Sequence, residues 1–187
     1  AGGVPEQEGA AQVSRRQGAS YSPHPTYMHS PFVLRTAGKE YETVKLYLSA
    51  DIEGTAGIDT WDETEIGKEK YAFFARQMTR EVSAAVEGAE LSGYETTVKD
   101  AHDSARNLDP AGLPRSARLI RGWTRDLFCM MGGLDQDRYD AVAFTGYHSG
   151  ATGGGNPLSH TMSTSVQRVR INGELASEFT INAYMAG

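Results

Sequence analysis

Hydrophobic and polar residues alternate along residues 45–50, and this alternation predicts a β-strand. Leu46, Leu48 and Ala50 occupy every second position, which places one face of the strand in a core and leaves the other face more polar. The strand ends at Asp51 and Glu53, so two carboxylates stand where open α/β sheets bind their ligands. Because Asp and Gly also favour turns, a simple turn is the alternative.

The hydrophobic spacing then changes to three and four residues, which predicts an amphipathic helix over residues 68–91. Gly93 follows as a C-terminal stop, and residues 95–100 form a second strand rich in β-forming side chains. Strand, helix and strand in this order imply a right-handed βαβ unit with parallel strands. The apolar stripe of the helix is expected in the core and comprises Tyr71, Phe74, Met78, Val82, Ala85 and Ala89.

The second half of the chain contains shorter predicted elements. These are a strand at 118–121, a helical turn at 127–131, and a strand buried on both faces at the apolar run 141–146. The Asn-Gly pair at 172–173 predicts a hairpin after a strand at 166–171, and Ser177 can cap a helix that starts at Glu178.

The glycine-rich stretch 150–156 lacks the Lys-Ser or Lys-Thr partner of a phosphate-binding loop, so we expect a mobile loop bordering a site.

These elements predict an α/β domain over residues 43–187, with a mostly parallel sheet flanked by helices and an added β-hairpin. Residues 1–42 differ because they hold four of the seven prolines and are rich in Gly, Ser and Gln. We expect them to form an extended or partly disordered N-terminal arm. The sequence begins with alanine, which suggests processing or trimming, and the arm could serve export or oligomer contact.

Composition narrows the classes of function. The net charge of −6 argues against nucleic acid or an anionic membrane as the main partner. No apolar run reaches the length of about 20 residues that spans a bilayer. Cys129 is the only cysteine, which excludes an internal disulfide and a cysteine-rich zinc site. We expect it to be a small buried hydrophobic residue.

Polar side chains with metal-binding chemistry follow three of the predicted strands, and the carboxyl ends of parallel strands share one edge of a sheet. Imidazole and carboxylate without thiolate suit zinc or another borderline divalent ion, and one bridging carboxylate allows two ions about 3.5–4 Å apart. The alternative is three unrelated polar strand ends. The candidates are Asp51 and Glu53, Asp100 and His102, His148, and Glu178 in the first turn of the last helix, where the helix dipole favours a carboxylate.

Five motifs between residues 44 and 187 resemble, in order and spacing, the zinc-dependent D-aminopeptidases of the DppA type. They are Ser-Ala-Asp-Ile-Glu-Gly at 49–54, Lys-Asp-Ala-His at 99–102, Gly-Tyr-His at 146–148, Leu-Ser-His-Thr-Met at 158–162 and Glu-Phe-Thr-Ile-Asn-Ala at 178–183. Members of this family continue past the last motif, so the resemblance implies that the C-terminal part of the family fold is absent from this sequence.

The resemblance implies a role for each of five ligands. Asp51 would bridge two zinc ions, and Glu53 and His102 would complete zinc sites with it. His148 and Glu178 would be the remaining ligands.

Two further residues receive roles outside the set of ligands. His160 would be the catalytic group, stabilising the tetrahedral oxyanion or donating a proton to the leaving amine. Without the resemblance, we would interpret His160 as a histidine of a surface loop. Asp100 would orient a ligand imidazole, and the alternative for Asp100 is a strand-end cap.

The resemblance therefore implies a hydrolase that uses zinc-activated water to remove an N-terminal residue, expected to be a D-amino acid, from short peptides. It also implies a ring-shaped homo-oligomer and a cytoplasmic location. Two alternatives remain open. One is an amidase that acts on another amide with the same metal site. The other is a non-catalytic metal-binding or assembly chain that needs a second polypeptide to complete the fold.

Overall fold

The structure is a computed structural model that describes residues 43–154 and 156–187. The predicted arm at 1–42 lies outside the described residues. Four strands form a parallel sheet in the order β3-β2-β1-β4, which confirms the predicted α/β class and the parallel pairing of the first two strands. The strands are β1 (Val44–Ala50), β2 (Tyr94–Asp100), β3 (Arg118–Ile120) and β4 (Ala141–Thr145).

One long helix, α1 (Tyr71–Leu91), covers the first face of the sheet. It begins later than the predicted start at residue 68, since residues 68–70 form a bend and a turn. It ends before Gly93, whose φ of 85° is left-handed. Burying a large apolar side chain stabilises the fold by about 1.5–3 kcal/mol. The apolar side chains that α1 buries therefore hold the helix to the sheet. The buried side chains of α1 are Ala75, Met78, Thr79, Val82 and Val86, and the sheet and its loops contribute Leu48, Ala50, Ile52, Val98 and Leu108 to the same core.

β1 lies inside the sheet and is buried on both faces, whereas the alternating pattern predicts one polar face. Tyr47 and Ser49, on the face away from α1, are both 0% exposed. The Tyr47 hydroxyl donates to the carbonyl of Gly132 at 3.0 Å, and the Ser49 hydroxyl donates to the carbonyl of Met130 at 3.1 Å. The segment around residues 129–132 therefore covers the second face, and these hydrogen bonds allow polar side chains to be buried there.

β4 is an edge strand in the part of the chain that the structure describes, where it pairs with β1 alone. All of its residues are only partly buried, so the prediction of a strand buried on both faces is wrong in this respect. Phe144 packs edge-on against Tyr147 and Phe179, with ring centroids 5.2 and 5.0 Å apart. These aromatic contacts join β4 to the last helix, α2 (Glu178–Ala186).

The predicted helical turn at 127–131 is shorter than expected. A single 3₁₀ turn spans Cys129–Met131, and Leu127 before it is 92% exposed. Cys129 is partly exposed and has a φ of 52°, so the prediction of a buried cysteine is wrong. The turn directs the side chains of Met130 and Met131 inward instead, and both are buried.

The last part of the chain forms a hairpin and α2. β5 (Arg170–Ile171) and β6 (Glu174–Leu175) pair antiparallel, and β5 is shorter than the predicted strand at 166–171. Asn172 and Gly173 have φ of 52° and 90°, as a tight two-residue hairpin turn requires. The Ser177 hydroxyl accepts from the backbone of Thr180 at 3.2 Å, which confirms the predicted cap. Within the described residues, no helix is both long and apolar enough to cross a membrane.

Two glycines let the chain after β1 approach the chain after β4. The backbone N–H of Gly54 donates to the carbonyl of Gly146 at 2.7 Å. A Cβ on Gly54 would overlap the carbonyl of Tyr147, and one on Gly146 would overlap the carbonyl of Asp51. Gly146 also has a φ of 67°, which L side chains rarely adopt. This close approach brings the two predicted ligand-bearing strand ends together.

Candidate metal centre

The five predicted ligands meet at one edge of the sheet. Asp51 directly follows β1, and Glu53 lies two residues further on. His102 follows β2, His148 follows β4, and Glu178 is the first residue of α2. Parallel strands place their carboxyl ends at the same edge, so segments far apart in sequence contribute to a single cluster.

Two groups of three side chains share Asp51, and the candidate ligand atoms within each group lie within 4.8 Å of one another. In the first group, His102 Nδ1 lies 3.4 Å from Asp51 Oδ1 and 3.1 Å from Glu53 Oε2. In the second group, His148 Nε2 lies 3.5 Å from Asp51 Oδ2 and 3.5 Å from Glu178 Oε1. Each Asp51 oxygen thus faces a different imidazole, which is the arrangement needed to hold two cations with one shared carboxylate.

The chemistry of these residues fits zinc. All are carboxylates or imidazoles, the ligands that suit zinc where thiolates are absent. Among the described residues, Asp51 Oδ2, Glu53 Oε2 and His148 Nε2 are buried without a hydrogen-bond partner. A buried polar atom without a partner costs about 1–3 kcal/mol, and coordination to a cation would remove this cost.

A backbone carbonyl fixes the tautomer of each imidazole in the cluster. Because a carbonyl oxygen only accepts, the ring nitrogen facing it carries the hydrogen, and in the neutral ring the other nitrogen keeps its lone pair for the cluster. Such outer contacts orient metal-binding histidines. The pairs are His102 Nε2 with Thr64 O at 3.0 Å, His148 Nδ1 with Ser149 O at 3.0 Å, and His160 Nδ1 with Leu158 O at 2.8 Å.

The electrostatics of the cluster favour positive charge. Burial and the charge of Glu53 raise the pKa of Asp51 to about 7. Burial also raises the pKa of Glu53, but the neighbouring His102 outweighs burial and lowers this pKa to about 2. At His102 and His148 burial is outweighed by the carboxylates, which raise the pKa of these imidazoles to about 11 and about 9. Protons or metal cations would therefore compete for the same positions.

His160 lies against the cluster. Its ring stacks on that of His148, with centroids 4.1 Å apart, and the indole of Trp61 packs edge-on against it at 5.2 Å. Its Nε2 lies 3.3 Å from Glu178 Oε1 and 3.9 Å from Glu53 Oε1. His160 could therefore complete a third ligand group with Glu53 and His148, or it could act on a substrate beside the ions.

The glycine-rich stretch joins His148 to His160. The backbone N–H of His160 donates to the carbonyl of Ser149 at 3.2 Å, and that of Ala151 donates to the hydroxyl of Thr161 at 3.1 Å. These bonds close the loop at its base and bring the two imidazoles together. The expected mobility of this loop stays a prediction.

Asp100 does not have the contacts of a residue that orients an imidazole. Its Oδ2 accepts from the backbone N–H of Asn107 at 2.5 Å and of Leu108 at 2.8 Å, and its Oδ1 accepts from Asn107 Nδ2 at 2.9 Å. Asn107 Nδ2 also donates to the carbonyl of His102 at 2.7 Å. Asp100 therefore braces the loop that carries His102, which matches the alternative of a strand-end cap.

Sequence reasoning missed a short turn that contacts two of the histidines. The turn at residues 61–63 places Trp61 against one imidazole and presents the carbonyl of Thr64 to another. Glu63 Oε2 accepts from the backbone N–H of Asp59 at 2.8 Å and of Thr60 at 3.1 Å. The sequence Thr-Trp-Asp-Glu at 60–63 fits the Ser/Thr-x-x-Glu signature of such a turn, so this signal was available.

A cavity of about 450 Å³ opens beside the cluster. Its lining includes four of the five candidate ligands and the catalytic candidate, so a molecule in the cavity can reach the cluster. These residues are Asp51, Glu53, His102, His160 and Glu178.

Comparison with known proteins identifies related sequences and a related fold. The model of the D-aminopeptidase family matches residues 44–187. A D-aminopeptidase of Bacillus subtilis (strain 168) is 36% identical over 145 residues, which is 77% of this chain and 52% of the relative. The chain is similar to the solved structure of the Zn-dependent D-aminopeptidase DppA from Bacillus subtilis, described as a self-compartmentalizing protease, with a TM-score of 0.71 and 34% identity. That match covers 76% of this chain and 52% of the other, so the chain spans about half the length of these relatives.

Proposed function

Because the chain belongs to the D-aminopeptidase family, we propose that it is a zinc-dependent aminopeptidase that releases an N-terminal D-amino acid from short peptides. The observation that carries the metal chemistry is the pair of ligand groups that share Asp51 at one edge of the sheet. The preference for a D-residue rests on the described activity of the relatives.

The proposal assigns two zinc ions to the cluster. Asp51, Glu53 and His102 would hold one ion, and Asp51, His148 and Glu178 would hold the second. Bound zinc supplies Lewis acidity, which polarises a carbonyl and makes water acidic enough to attack near neutral pH. The carbonyls that hold the imidazole tautomers keep the donor nitrogens aimed at these positions.

His160 supplies the proton chemistry in this proposal. Hydrolysis joins the oxygen of water to the carbonyl carbon and breaks the C–N bond, after which the departing nitrogen takes up a proton. The Nδ1 hydrogen of His160 is committed to Leu158 O, so Nε2 is the atom that faces the reaction. As an imidazolium it hydrogen-bonds the carbonyl oxygen as charge develops, or gives its Nε2 proton to the departing amine.

We also propose that the chain forms a homo-oligomer. The solved relative is described as self-compartmentalizing, and α2 exposes a group of large apolar side chains, which is typical of an interaction surface. Light scattering should show a particle several times the mass of one chain, and a monomer would contradict the proposal. The exposed side chains are Phe179, Tyr184 and Met185, at 48%, 61% and 37%.

The catalytic proposal is tested with the zinc-loaded protein on D-Ala-D-Ala and L-Ala-L-Ala, assayed side by side. We expect cleavage of the D-dipeptide. The His160→Ala variant should lose about 100-fold or more in kcat while it retains its zinc. Ser165→Ala, an exposed serine near this segment, is the control and should keep full activity. Zinc binding without cleavage of either dipeptide would overturn the peptidase proposal.

A further inference from the structure

Three of the residues that line the cavity beside the metal centre are large and apolar, whereas most of the others are polar or charged. They are Trp123, Met130 and Met162. Trp123 is 38% exposed and Met162 is 45% exposed, whereas Met130 is 3% exposed. Large apolar side chains that line an open cavity mark a place where an apolar group of a ligand can be buried.

Trp123 is held so that its ring shows only carbon to the cavity. Its indole N–H donates to the carbonyl of Asp103, which uses the one polar group of the side chain. The Lys99 ammonium lies 5.4 Å from the ring centroid and donates to the carbonyl of Gly122 at 2.6 Å. Lys99 is 0% exposed. A buried cation therefore contacts both the Trp123 ring and the backbone of the residue before it.

Met162 is tied directly to the metal centre. Its backbone N–H donates to Glu178 Oε1 at 2.7 Å. Its φ of 62° is left-handed, a conformation that a non-glycine residue keeps only where the surroundings impose it. The hydrogen bond therefore ties the backbone of a cavity-lining residue to a candidate ligand.

We propose that Trp123, Met130 and Met162 form a subsite for an apolar side chain next to the scissile amide, so that the preferred peptides carry an aliphatic or aromatic residue there. The lining of this cavity contains no Lys or Arg among the described residues, so no ammonium or guanidinium group is present there to pair with an acidic substrate side chain. The proposal rests on the proposed function and deepens it, because it names the class of peptide that the site accepts.

The first test measures kcat/KM for D-configured dipeptides in which Ala, Leu, Phe or Glu is placed at the first or the second position. We expect a preference of about 10-fold or more for Leu or Phe over Ala and Glu at one of the two positions. Trp123→Ala should reduce that preference to about 3-fold or less, and Trp123→Phe should retain most of it. Leu127→Ala removes an exposed apolar side chain near this loop and outside the cavity, and it should leave the preference unchanged.

The second test measures binding and does not depend on turnover. The hydroxamates of D-alanine, D-leucine and D-glutamate are titrated calorimetrically into the zinc-loaded protein. D-leucine hydroxamate should bind about 10-fold more tightly than the other two, and Trp123→Ala or Met162→Gln should remove this difference. Thermal melting and zinc content confirm that the variants are folded.

These tests separate the inference from the proposed function. If no peptide is cleaved but the leucine hydroxamate keeps its Trp123-dependent advantage, the peptidase proposal fails and the apolar subsite stands. Equal binding of the three hydroxamates, or an apolar preference that persists in both Trp123→Ala and Met162→Gln, would overturn the subsite.

Discussion

Asp51 is the one carboxylate common to both proposed ion positions, because one of its oxygens faces His102 and the other faces His148. The distances to His102 and His148 are nearly equal, at 3.4 and 3.5 Å, and the carboxylate is 2% exposed. Glu178, in contrast, belongs to only one of the two groups that share Asp51. Changes at these two acids should therefore differ in the number of ions lost.

We expect the wild-type chain to bind two zinc ions, Glu178→Gln to bind about one, and Asp51→Asn to lose affinity at both positions. The physical reason is that the amide lacks the negative charge that a bridging ligand supplies to both ions. Zinc stoichiometry by mass spectrometry after equilibrium dialysis measures this. Asp62→Asn changes an exposed acid and should keep two ions; equal losses in Asp51→Asn and Glu178→Gln would contradict the shared role.

Gly146 offers a second prediction at the scale of single residues. Gly146→Ala should lower the free energy of unfolding by more than about 2 kcal/mol, because it adds left-handed strain and an overlap with the Asp51 carbonyl. Gly88→Ala is the matched control, since Gly88 is an exposed position inside α1 with open space around it. It should raise stability by about 0.5–1 kcal/mol, and both values are read from urea denaturation.

Local sequence patterns identify the candidate ligands, but they do not identify all of the hydrogen bonds that hold the neighbouring loops in place. Asp51, His102 and His148 were predictable because each follows a strand that the sequence marks clearly. The partners of Asp100 were not predictable, because Asn107 and Leu108 come from a loop whose path depends on the whole fold.

At the scale of elements, the turn at 61–63 and the residue after it contact two imidazoles of the cluster. Its stability depends on Glu63, whose carboxylate accepts two backbone N–H groups and lies 3.6 Å from the ammonium of Lys70. The backbone N–H of Asp59 is the main cause that lowers the pKa of Glu63. A weaker turn would loosen both the Trp61 contact with His160 and the carbonyl that faces His102.

Glu63→Gln should lower the free energy of unfolding near neutral pH by about 1 kcal/mol, the usual size of a lost capping interaction. Because the folded state depresses the pKa of Glu63, its contribution is fully present above the ordinary pKa of 4.5 and declines as pH falls through the lower folded value. Denaturation curves at several pH values should show the two proteins converging in acid. A difference that is independent of pH would contradict this account.

The boundaries of most elements followed from the sequence, but the burial of individual strands did not. The alternation in β1 predicts one polar face, yet Tyr47 and Ser49 are buried because a distant segment supplies carbonyl partners. The apolar run of β4 predicts burial on both faces, yet the strand lies at the edge of the sheet. Which strand is central depends on topology, and hydropathy carries little information about it.

At the scale of the whole molecule, bound zinc should stabilise the folded chain, because only the fold brings the candidate ligands together. Removing zinc with a chelator should lower the melting temperature, and zinc at 100 times its dissociation constant should contribute about 2.7 kcal/mol of stability. Differential scanning calorimetry with and without added zinc checks this. Asp51→Asn should show a much smaller shift with zinc, and a melting temperature insensitive to zinc in the wild type would contradict the metal assignment.

The candidate ligands are scattered from Asp51 to Glu178, on strand ends and a helix that are far apart along the chain. Among the described residues, no short stretch therefore holds a complete group of candidate ligands before the sheet is assembled. The ion cannot nucleate folding as it does in a zinc finger, and its uptake should be among the last events of folding. The rate of zinc uptake during refolding would then report the docking of α2 against β4.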